Sequence, residues 1–277
     1  MENFRINWHR SINFGDQLNP YLINHFLGFW PEKYEIWNER LGKHEELTQP
    51  HIMLLGSILN EANEHTTVLG AGFVSENSRC LKQPKFLSVR GKYTLNRVRS
   101  LYGNVGDIFL GDPALSLPKI FKPNVEKKYK IGIIPHLIDE NFVRKEFKGH
   151  RIISLKMNSN TCQEIERIIT EINECDVTIS SSLHGLIVSH IYGVPSLWVE
   201  FSDRVIGNGF KFKDYFSNHL KNPGEYFNFD PVNLRKGRGA FSTNALIDMA
   251  KQSDLKISWT EVEENYNFYT SFLKTNK

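Results

Sequence analysis

Short apolar segments separated by polar ones recur along the whole chain, and their spacing predicts an alternation of strands and helices. Each apolar segment ends in glycine or polar residues, and the intervals between them are long enough for helices. This rhythm is typical of parallel sheets with helical crossovers. The predicted strands are 51–57, 66–73, 85–91 and 106–114 in the first half, and 129–136, 151–156, 176–181 and 195–200 in the second.

Apolar residues at helical spacing predict four helices with defined ends. In 16–28, Leu18, Leu22 and Phe26 share one face and Gly28 ends the pattern. The other predicted helices are 161–175, 184–192 and a terminal helix at 259–272.

A charged segment divides the pattern into two parts. Residues 119–130 contain many lysines and Pro123, and we interpret them as a linker. The predicted fold class is therefore α/β, with two Rossmann-like domains that face a central cleft. The domains are predicted at 1–122 and 127–250, and the helix at 258–274 is expected to pack back on the first domain.

Composition places the chain among soluble globular proteins. Of its 277 residues, 40% are hydrophobic and 23% are charged, so extended disorder is not expected. The formal charge is +3 and the isoelectric point is about 8.6, which is too weakly basic to indicate nucleic-acid binding. An anionic small substrate or a membrane surface remains compatible with this charge.

The cysteines and the N-terminal residues narrow the expected location. The three cysteines form no CxxC pair, so neither a disulfide framework nor a zinc site is indicated, and no other cluster predicts a metal. The first 16 residues lack an apolar segment of signal-peptide length, and no run of about 18 apolar residues occurs. We expect a cytoplasmic protein that is neither exported nor membrane-spanning, with peripheral contact at the inner face of the membrane left open.

The sequence SSSLHG is the strongest local signal of chemistry, because it lies between a predicted strand and a predicted helix. The hydroxyls of Ser181 and Ser182 and the helix N–H groups from Leu183 to Gly185 are expected to surround an anion. His184 stands where it can deliver a proton, although a structural role for this histidine is an open alternative.

Other known motifs do not explain this segment. A nucleophilic serine is unsupported, because the chain has no GxSxG elbow and no obvious carboxylate partner for His184. GxGxxG and GxxxxGK[ST] are absent as well, so neither a dinucleotide site nor a P-loop is predicted.

Candidate binding residues also follow the predicted strands of the first half. Asn13, Gly15 and Asp16 form the loop that opens the first helix, where Asp16 is either a helix N-cap or a ligand-binding residue. Arg90 ends a strand and is able to grip a carboxylate or phosphate in bidentate fashion, with a surface salt bridge as the alternative. Asp112 is either a turn residue before proline or a partner for a ligand hydroxyl.

The second half adds an imidazole and two cations. His136 directly follows a predicted strand and is expected to face the cleft, unless it is merely structural or solvated. Arg204 and Lys211 lie in 203–215, where alternating aromatic and cationic residues follow Gly207 and Gly209. We predict a loop that closes over an anionic donor, with a solvated loop as the alternative.

Taken in order, these segments resemble the polysaccharide pyruvyl transferase family over about residues 11–216. The matching motifs are NFGDQLNPYL, SVRGKYT, LGDPAL, IGIIPH, and SSSLHGLIVSHIYGVPSLWVE followed by GNGFKFKDYF. The resemblance implies a fold like the two-domain glycosyltransferase type B architecture. It also implies transfer of pyruvate from phosphoenolpyruvate onto two hydroxyls of one sugar, as a cyclic ketal on a cell-surface polysaccharide or its lipid-linked precursor. Phosphoenolpyruvate is then a donor substrate, and no cofactor is expected.

The resemblance also implies roles for individual residues. His184 matches a histidine implicated in acid/base work, and Arg90 matches an arginine thought to hold phosphoenolpyruvate. By hypothesis, Asp16 or His136 serves the acceptor hydroxyls. The implied partners are phosphoenolpyruvate and a glycan or lipid-linked oligosaccharide.

The chain departs from the family pattern at two positions. Many members have arginine where this chain has Ser182, so Arg204, Lys211 or the serine hydroxyls with the helix N-terminus are the candidates to replace that donor contact. Gly91 stands where an aspartate is common, which puts any role of that aspartate in doubt.

Two other functions remain open. A nucleotide-sugar-dependent glycosyltransferase suits the same cleft, and a non-catalytic glycan-binding protein could use Trp198, Phe210 and Tyr215 for stacking. The acceptor sugar, the bridged hydroxyls, the ketal stereochemistry and the oligomeric state are not indicated by the sequence. We expect acceptor recognition in the first domain, in the weakly patterned segments 28–50 and 74–84.

Overall fold

Each half of the chain forms one parallel sheet. The computed structural model describes residues 5–9, 11–35, 37–38, 43–219, 230–235, 241–253 and 255–276. Within these residues there are two five-stranded sheets and a separate two-stranded pair. The predicted α/β class is confirmed at this level.

The first sheet has the strand order β1-β4-β5-β6-β7, and all its neighbours are parallel. The observed strands are shorter than the apolar runs that predicted them, because the chain leaves the ladder near glycines such as Gly56 and Gly70, which both have positive φ. The strands of this half are Ile6–Asn7 (β1), Trp37–Asn38 (β2), Lys43–His44 (β3), His51–Met53 (β4), Thr66–Leu69 (β5), Lys85–Val89 (β6) and Phe109–Leu110 (β7).

The second sheet has the order β12-β11-β10-β8-β9, again with parallel neighbours. The chain starts at β8, adds β9 on one side and then returns to add β10 on the other. Such a reversal opens a crevice beyond the carboxyl ends of β8 and β10, where ligands bind in open α/β sheets. The strands are Tyr129–Ile134 (β8), Arg151–Ile152 (β9), Cys175–Ser180 (β10), Ser196–Glu200 (β11) and Val232–Asn233 (β12).

Helices connect and cover the strands. The predicted helices 16–28, 161–175, 184–192 and 259–272 are observed with ends that differ by three residues or fewer. The helices are Phe14–Leu27 (α1), Lys92–Tyr102 (α2), Leu117–Ile120 (α3), Glu140–Glu146 (α4), Cys162–Asn173 (α5), Leu183–Ile191 (α6), Phe210–Phe216 (α7), Thr243–Gln252 (α8) and Trp259–Thr275 (α9).

The two halves share a hydrophobic core. One cluster contains Leu18 and Leu69 from the first half together with Ile134 and Trp198 from the second. Helix α1 contacts α5, α6 and α9, so it lies between the halves. The backbone joins them too: Phe14 N donates to Leu155 O at 2.9 Å, and residues 12–14 run antiparallel to 155–157. The division at 122/127 stays a prediction.

The prediction of a mobile loop at 203–215 is wrong in its second part, where the chain forms α7. Phe210 packs into the core of the first half, and Phe212 stacks on Trp198 with ring centroids 4.5 Å apart. Gly207 has φ of +95°, and a side chain there would overlap the Val74 carbonyl. Apolar residues on two faces therefore hold this segment against both halves.

Helix α9 lies against α1 and the turn at 113–116. Tyr269 Oη donates to Gly111 O at 2.7 Å, and Asn265 Nδ2 donates to Asp112 O at 3.2 Å. These bonds connect the last helix to the polar turn that follows β7. Among the described residues, no helix combines the length and the apolar character needed to cross a membrane.

Candidate active site

His184 lies at the crevice of the second sheet and faces the first half of the molecule. Its ring packs on the backbone of Gly15, where any side chain would overlap Nδ1. Its Nε2 is 3.8 Å from Asp112 Oδ2 and, within the described residues, makes no hydrogen bond. Three segments that are distant in the sequence therefore meet at one imidazole.

The environment of His184 keeps its ring neutral. Burial, with the charges of Arg90 and Lys211, lowers the pKa of His184 to about 3. An anion placed beside the ring would oppose these effects and raise this pKa, because an opposite charge favours the protonated form. The site is thus arranged so that anion binding and protonation of His184 support each other.

Asp112 supplies the carboxylate that was not evident from the sequence. It caps the turn at 113–116, where its Oδ1 accepts a hydrogen bond from Ala114 N at 2.9 Å. Its other oxygen, Oδ2, is the one that lies near His184. Burial raises the pKa of Asp112 to about 6. The two interpretations of Asp112, as a turn residue and as a polar group at the site, are therefore compatible.

Lys211 is the cation that faces this group. Within the described residues its Nζ has no hydrogen bond or ion pair, and it lies 5.6 Å from the ring centroid of Phe212. Burial, with the charge of Arg90, lowers the pKa of Lys211 to about 8. Its charge in turn affects the pKa values of Asp16, His136 and His184. A half-buried ammonium without a counter-ion is well suited to bind an anion.

The loop before α1 brings a second carboxylate to the site. Asn13, not Asp16, is the N-cap of α1, since its side chain accepts from Gly15 N at 3.1 Å. Asp16 lies in the first turn and accepts a hydrogen bond from the Ser11 hydroxyl. Burial raises the pKa of Asp16 above its usual value, although the Ser11 bond opposes this shift.

His136 and the serines occupy the crevice between β8 and β10. The Ser181 hydroxyl accepts from His136 N at 2.8 Å, so it fixes the two strand ends to each other. Burial, with the charge of Lys211, lowers the pKa of His136 to about 4. Ser182 is the N-cap of α6 but makes no side-chain capping bond. The first-turn N–H groups of α6 are therefore not capped by its side chain.

Leu183 and Gly185 have packing roles in addition to any backbone contact. The Leu183 side chain is buried in the shared core. A side chain at Gly185 would lie 2.6 Å from Ile134 Cγ2 and 2.8 Å from Ser180 Oγ, so only glycine lets α6 approach β8 this closely. In both residues, therefore, only the backbone N–H group is able to donate a hydrogen bond to an anion.

Each of the three guanidinium nitrogens of Arg90 donates a hydrogen bond within the protein. Its Nε donates to Asp214 Oδ2 at 2.9 Å, with both side chains buried, and its terminal nitrogens donate to Ser57 Oγ at 2.7 Å and Phe73 O at 2.8 Å. Asp214 also accepts from Thr94 N at 2.7 Å and so caps α2. In this arrangement Arg90 contributes its charge to the site, and a direct contact with a donor stays a prediction.

The model of the family described as polysaccharide pyruvyl transferase matches residues 13–203, which contain His184, Arg90, Asp112 and the loop before α1. The chain belongs to this family. In the part of this pyruvyl transferase family member that the structure describes, no group of three His, Cys, Asp or Glu side chains is placed to hold a metal ion.

Two curated relatives and one solved structure are similar to this family member. An uncharacterized protein of Acanthamoeba polyphaga mimivirus is 33% identical over 175 residues, covering 61% of this chain and 60% of the relative. The succinoglycan biosynthesis protein ExoV of Rhizobium meliloti is 27% identical over 216 residues, covering 73% and 60%. The chain thus spans about 60% of the length of both relatives. A functionally uncharacterized Klebsiella pneumoniae structure aligns with 12% identity and a TM-score of 0.47, covering 80% of this chain and 90% of that one.

The structure distinguishes the two cations that were candidates to replace an arginine at Ser182. Arg204 Nη2 donates to the buried Asp139 at 3.0 Å, and its side chain is 51% exposed. Lys211, by contrast, acts directly on His184 through its charge. Lys211 is therefore the better placed of the two.

Asp214 explains why glycine is suitable at position 91, where an aspartate is common in the family. Gly91 is the N-cap of α2 and has no side chain to cap it, while any side chain there would overlap the Asp214 backbone. The Asp214 carboxylate caps the helix from α7 instead. No motif of the sequence points to this role of Asp214, and the glycine at the N-cap of α2 is a local sign of it.

Proposed function

We propose that this protein is a phosphoenolpyruvate-dependent ketal pyruvyl transferase. The acceptor is two hydroxyls of one sugar, in a surface polysaccharide or its lipid-linked precursor. The observation that carries the proposal is the neutral imidazole of His184, whose Nε2 has no hydrogen bond within the described residues. This nitrogen lies 3.8 Å from Asp112 Oδ2, and the charge of Lys211 acts on the ring. The proposal includes a cleft between the halves, as in glycosyltransferase type B folds, and a cytoplasmic location with peripheral membrane contact.

The anionic donor suits the charges at this position. Phosphoenolpyruvate carries a carboxylate and a phosphate, and Lys211, the first-turn N–H groups of α6 and the Ser182 hydroxyl are available as donors to one of them. Arg90 adds positive potential from its buried position. We assign the phosphate to Lys211 and α6, because a dianion gains most from a desolvated cation.

The proposed reaction transfers one proton to carbon and releases phosphate. Protonation at C3 makes a cationic centre at C2, which the first sugar hydroxyl attacks. The C2–O bond to phosphate then breaks, and the second hydroxyl attacks C2 to close the ketal. Of the two hydroxyl protons, one replaces the proton given to C3 and the other leaves with hydrogen phosphate. The sum is phosphoenolpyruvate and a diol giving a pyruvate ketal and hydrogen phosphate.

His184 is proposed to give the proton to C3. It is neutral in the ligand-free protein, since its pKa is about 3 there. The negative charges of the bound donor raise that pKa, and ionised Asp112, 3.8 Å from Nε2, stabilises the imidazolium. Asp16 and His136, which both sense the Lys211 charge, are the candidates to accept the hydroxyl protons.

The direct test is phosphate release from phosphoenolpyruvate in the presence of a panel of glycosides and lipid-linked oligosaccharides. We expect release that depends on the acceptor, and an acceptor mass increase of one pyruvate less one water. The competing function, nucleotide-sugar glycosyl transfer, predicts binding of a nucleotide sugar instead. Binding of a nucleotide sugar without binding of phosphoenolpyruvate would replace the proposal by that alternative.

The affinity for phosphoenolpyruvate is expected to fall with rising pH through the titration of Lys211. Its pKa of about 8 in the ligand-free protein means that the ammonium is present below pH 8 and is lost above it. The bound anion raises this pKa, so binding takes up a proton above pH 8 and the affinity falls by up to about tenfold per pH unit. The donor phosphate, with a second pKa of about 6, is fully ionised throughout this range. Calorimetric dissociation constants from pH 7 to 9.5 measure the effect.

Variants at two positions of α7 make this pH prediction specific. Lys211→Arg keeps its charge and should bind with little pH dependence, whereas Lys211→Met should bind about 10- to 100-fold more weakly at pH 7. Lys213→Met, on the exposed face of the same helix, is the matched control and should behave like the wild type. A wild-type affinity that stays constant up to pH 9.5 would show that Lys211 does not bind the donor.

A further inference from the structure

A polar cavity of about 410 Å³ lies beside the first turn of α1, where Gln17 forms part of its lining. It is about twice the volume of three cavities elsewhere, which measure about 160 to 200 Å³. It falls within the range of about 300 to 1,000 Å³ that is usual for small-molecule sites. The lining residues that matter for the argument are Trp8, Gln17, Trp30, Lys33, Glu35 and Asn160.

Two indole rings give this cavity an aromatic character. Trp30 is 38% exposed, so part of its ring is available for stacking. Trp8 is only 6% exposed, yet within the described residues its indole N–H has no hydrogen-bond acceptor. A buried N–H donor without a partner is unusual in a folded protein.

The remaining lining residues both donate and accept hydrogen bonds. Lys33 and Glu35 form an ion pair at 3.1 Å, and Asn160 contributes an exposed carboxamide from the second half of the chain. Glu32 adds a further carboxylate, so the lining has no excess of positive charge. An anion such as phosphoenolpyruvate is therefore disfavoured here, in contrast to the surroundings of Lys211.

We infer that this cavity, the Trp30 pocket, binds a neutral sugar unit of the acceptor glycan. A sugar ring presents an apolar face that stacks on an indole, surrounded by hydroxyls that both donate and accept, as the mixed lining requires. The inference rests on the proposed function, because that function supplies the glycan.

The position of the pocket identifies which unit it holds. Gly15 contacts His184, while Gln17 lines the pocket. Two residues that are two positions apart in an α-helix are rotated by about 200° around its axis, so they lie on nearly opposite faces. The first turn of α1 therefore separates the pocket from the imidazole. The sugar in the Trp30 pocket is not the one that reacts, and an acceptor must have more than one unit to reach both places.

Trp30→Ala is expected to weaken binding of acceptors longer than one sugar by about tenfold or more. The probe is an array of surface-polysaccharide fragments of one to six sugars, with partially hydrolysed succinoglycan included, and calorimetry follows on the fragments that bind. Trp30→Phe retains a stacking ring and should recover most of the affinity. Trp259→Ala removes an exposed tryptophan of α9, 47% accessible and outside the pocket, and should bind like the wild type.

The outcomes separate this inference from the proposed function. Equal glycan binding by wild type and Trp30→Ala, or wild-type protein that binds phosphoenolpyruvate but no array fragment, would overturn the inference and leave the donor chemistry standing. Failure to bind phosphoenolpyruvate would instead count against the proposed function. With a multi-unit acceptor, Trp30→Ala should raise KM while kcat at saturation is kept, whereas a change in kcat alone would mean that the pocket does not bind the acceptor.

Discussion

His184→Ala is expected to lower the turnover of phosphoenolpyruvate by about 10²- to 10⁴-fold while the protein stays folded, because proton transfer by a positioned side chain contributes about that much. The ring packs on Gly15, and within the described residues its Nε2 makes no hydrogen bond. Removing the ring therefore breaks no hydrogen bond of Nε2 that would stabilise the fold. Acceptor-dependent phosphate release measures the turnover, and calorimetry checks that the donor still binds.

His190 is the matched control for this variant. It is on the same helix and its pKa is likewise lowered by burial to about 3, but its ring nitrogens lie 3.2 Å from Tyr215 Oη and 3.3 Å from Ser196 O. His190→Gln should therefore cost stability without changing the turnover of the folded fraction. If His184→Ala kept near-normal turnover, His184 would not be the residue that transfers the proton.

Asp214→Ala is expected to lower the free energy of unfolding by about 3 to 5 kcal/mol, because it leaves the buried charge of Arg90 without a counter-ion. The same change removes the cap of α2, which adds to the loss. Asp214→Asn retains an oxygen for the cap but not the charge, so it should fall between the alanine variant and the wild type. Urea titration with an unchanged m-value gives these differences.

An ion pair of the same length at the surface serves as the comparison. Lys130 and Asp176 are also 2.9 Å apart, but the lysine side chain is 86% exposed. Asp176→Ala should therefore change the free energy of unfolding by at most about 1 kcal/mol. If Asp214→Ala were no more destabilising than Asp176→Ala, the buried pair would not hold α7 to the first half.

The sequence predicted those parts of the site that depend on local order. Ser182 and His184 follow a strand and open a helix, and that pattern is visible in a few consecutive residues. The parallel sheets could be predicted for the same reason, since each strand is a short apolar run. Strands of two residues, such as Ile6–Asn7 and Val232–Asn233, carry too little pattern to be recognised.

The contacts that assemble the site are not local, and the sequence gives almost no sign of them. Asp112 follows β7 of the first sheet and His184 lies in α6, which follows β10 of the second, so nothing in either segment predicts their 3.8 Å approach. Arg90 and Asp214 are 124 residues apart. The segment around Lys211 looked like a loop because its glycines and lysines are common in loops, whereas its phenylalanines find partners in both halves only after folding.

The cap that Asp214 places on α2 has a consequence for how the protein is made. Ribosomes add about 5 to 20 residues per second, so Asp214 is synthesised about 6 to 25 seconds after Arg90. Until then, Arg90 has no counter-ion from Asp214 and α2 has no cap from it. During that interval the first half also lacks Phe210 from its core. Lys211 arrives in the same segment, and we therefore expect the two cations near His184 to become ordered in a single late step.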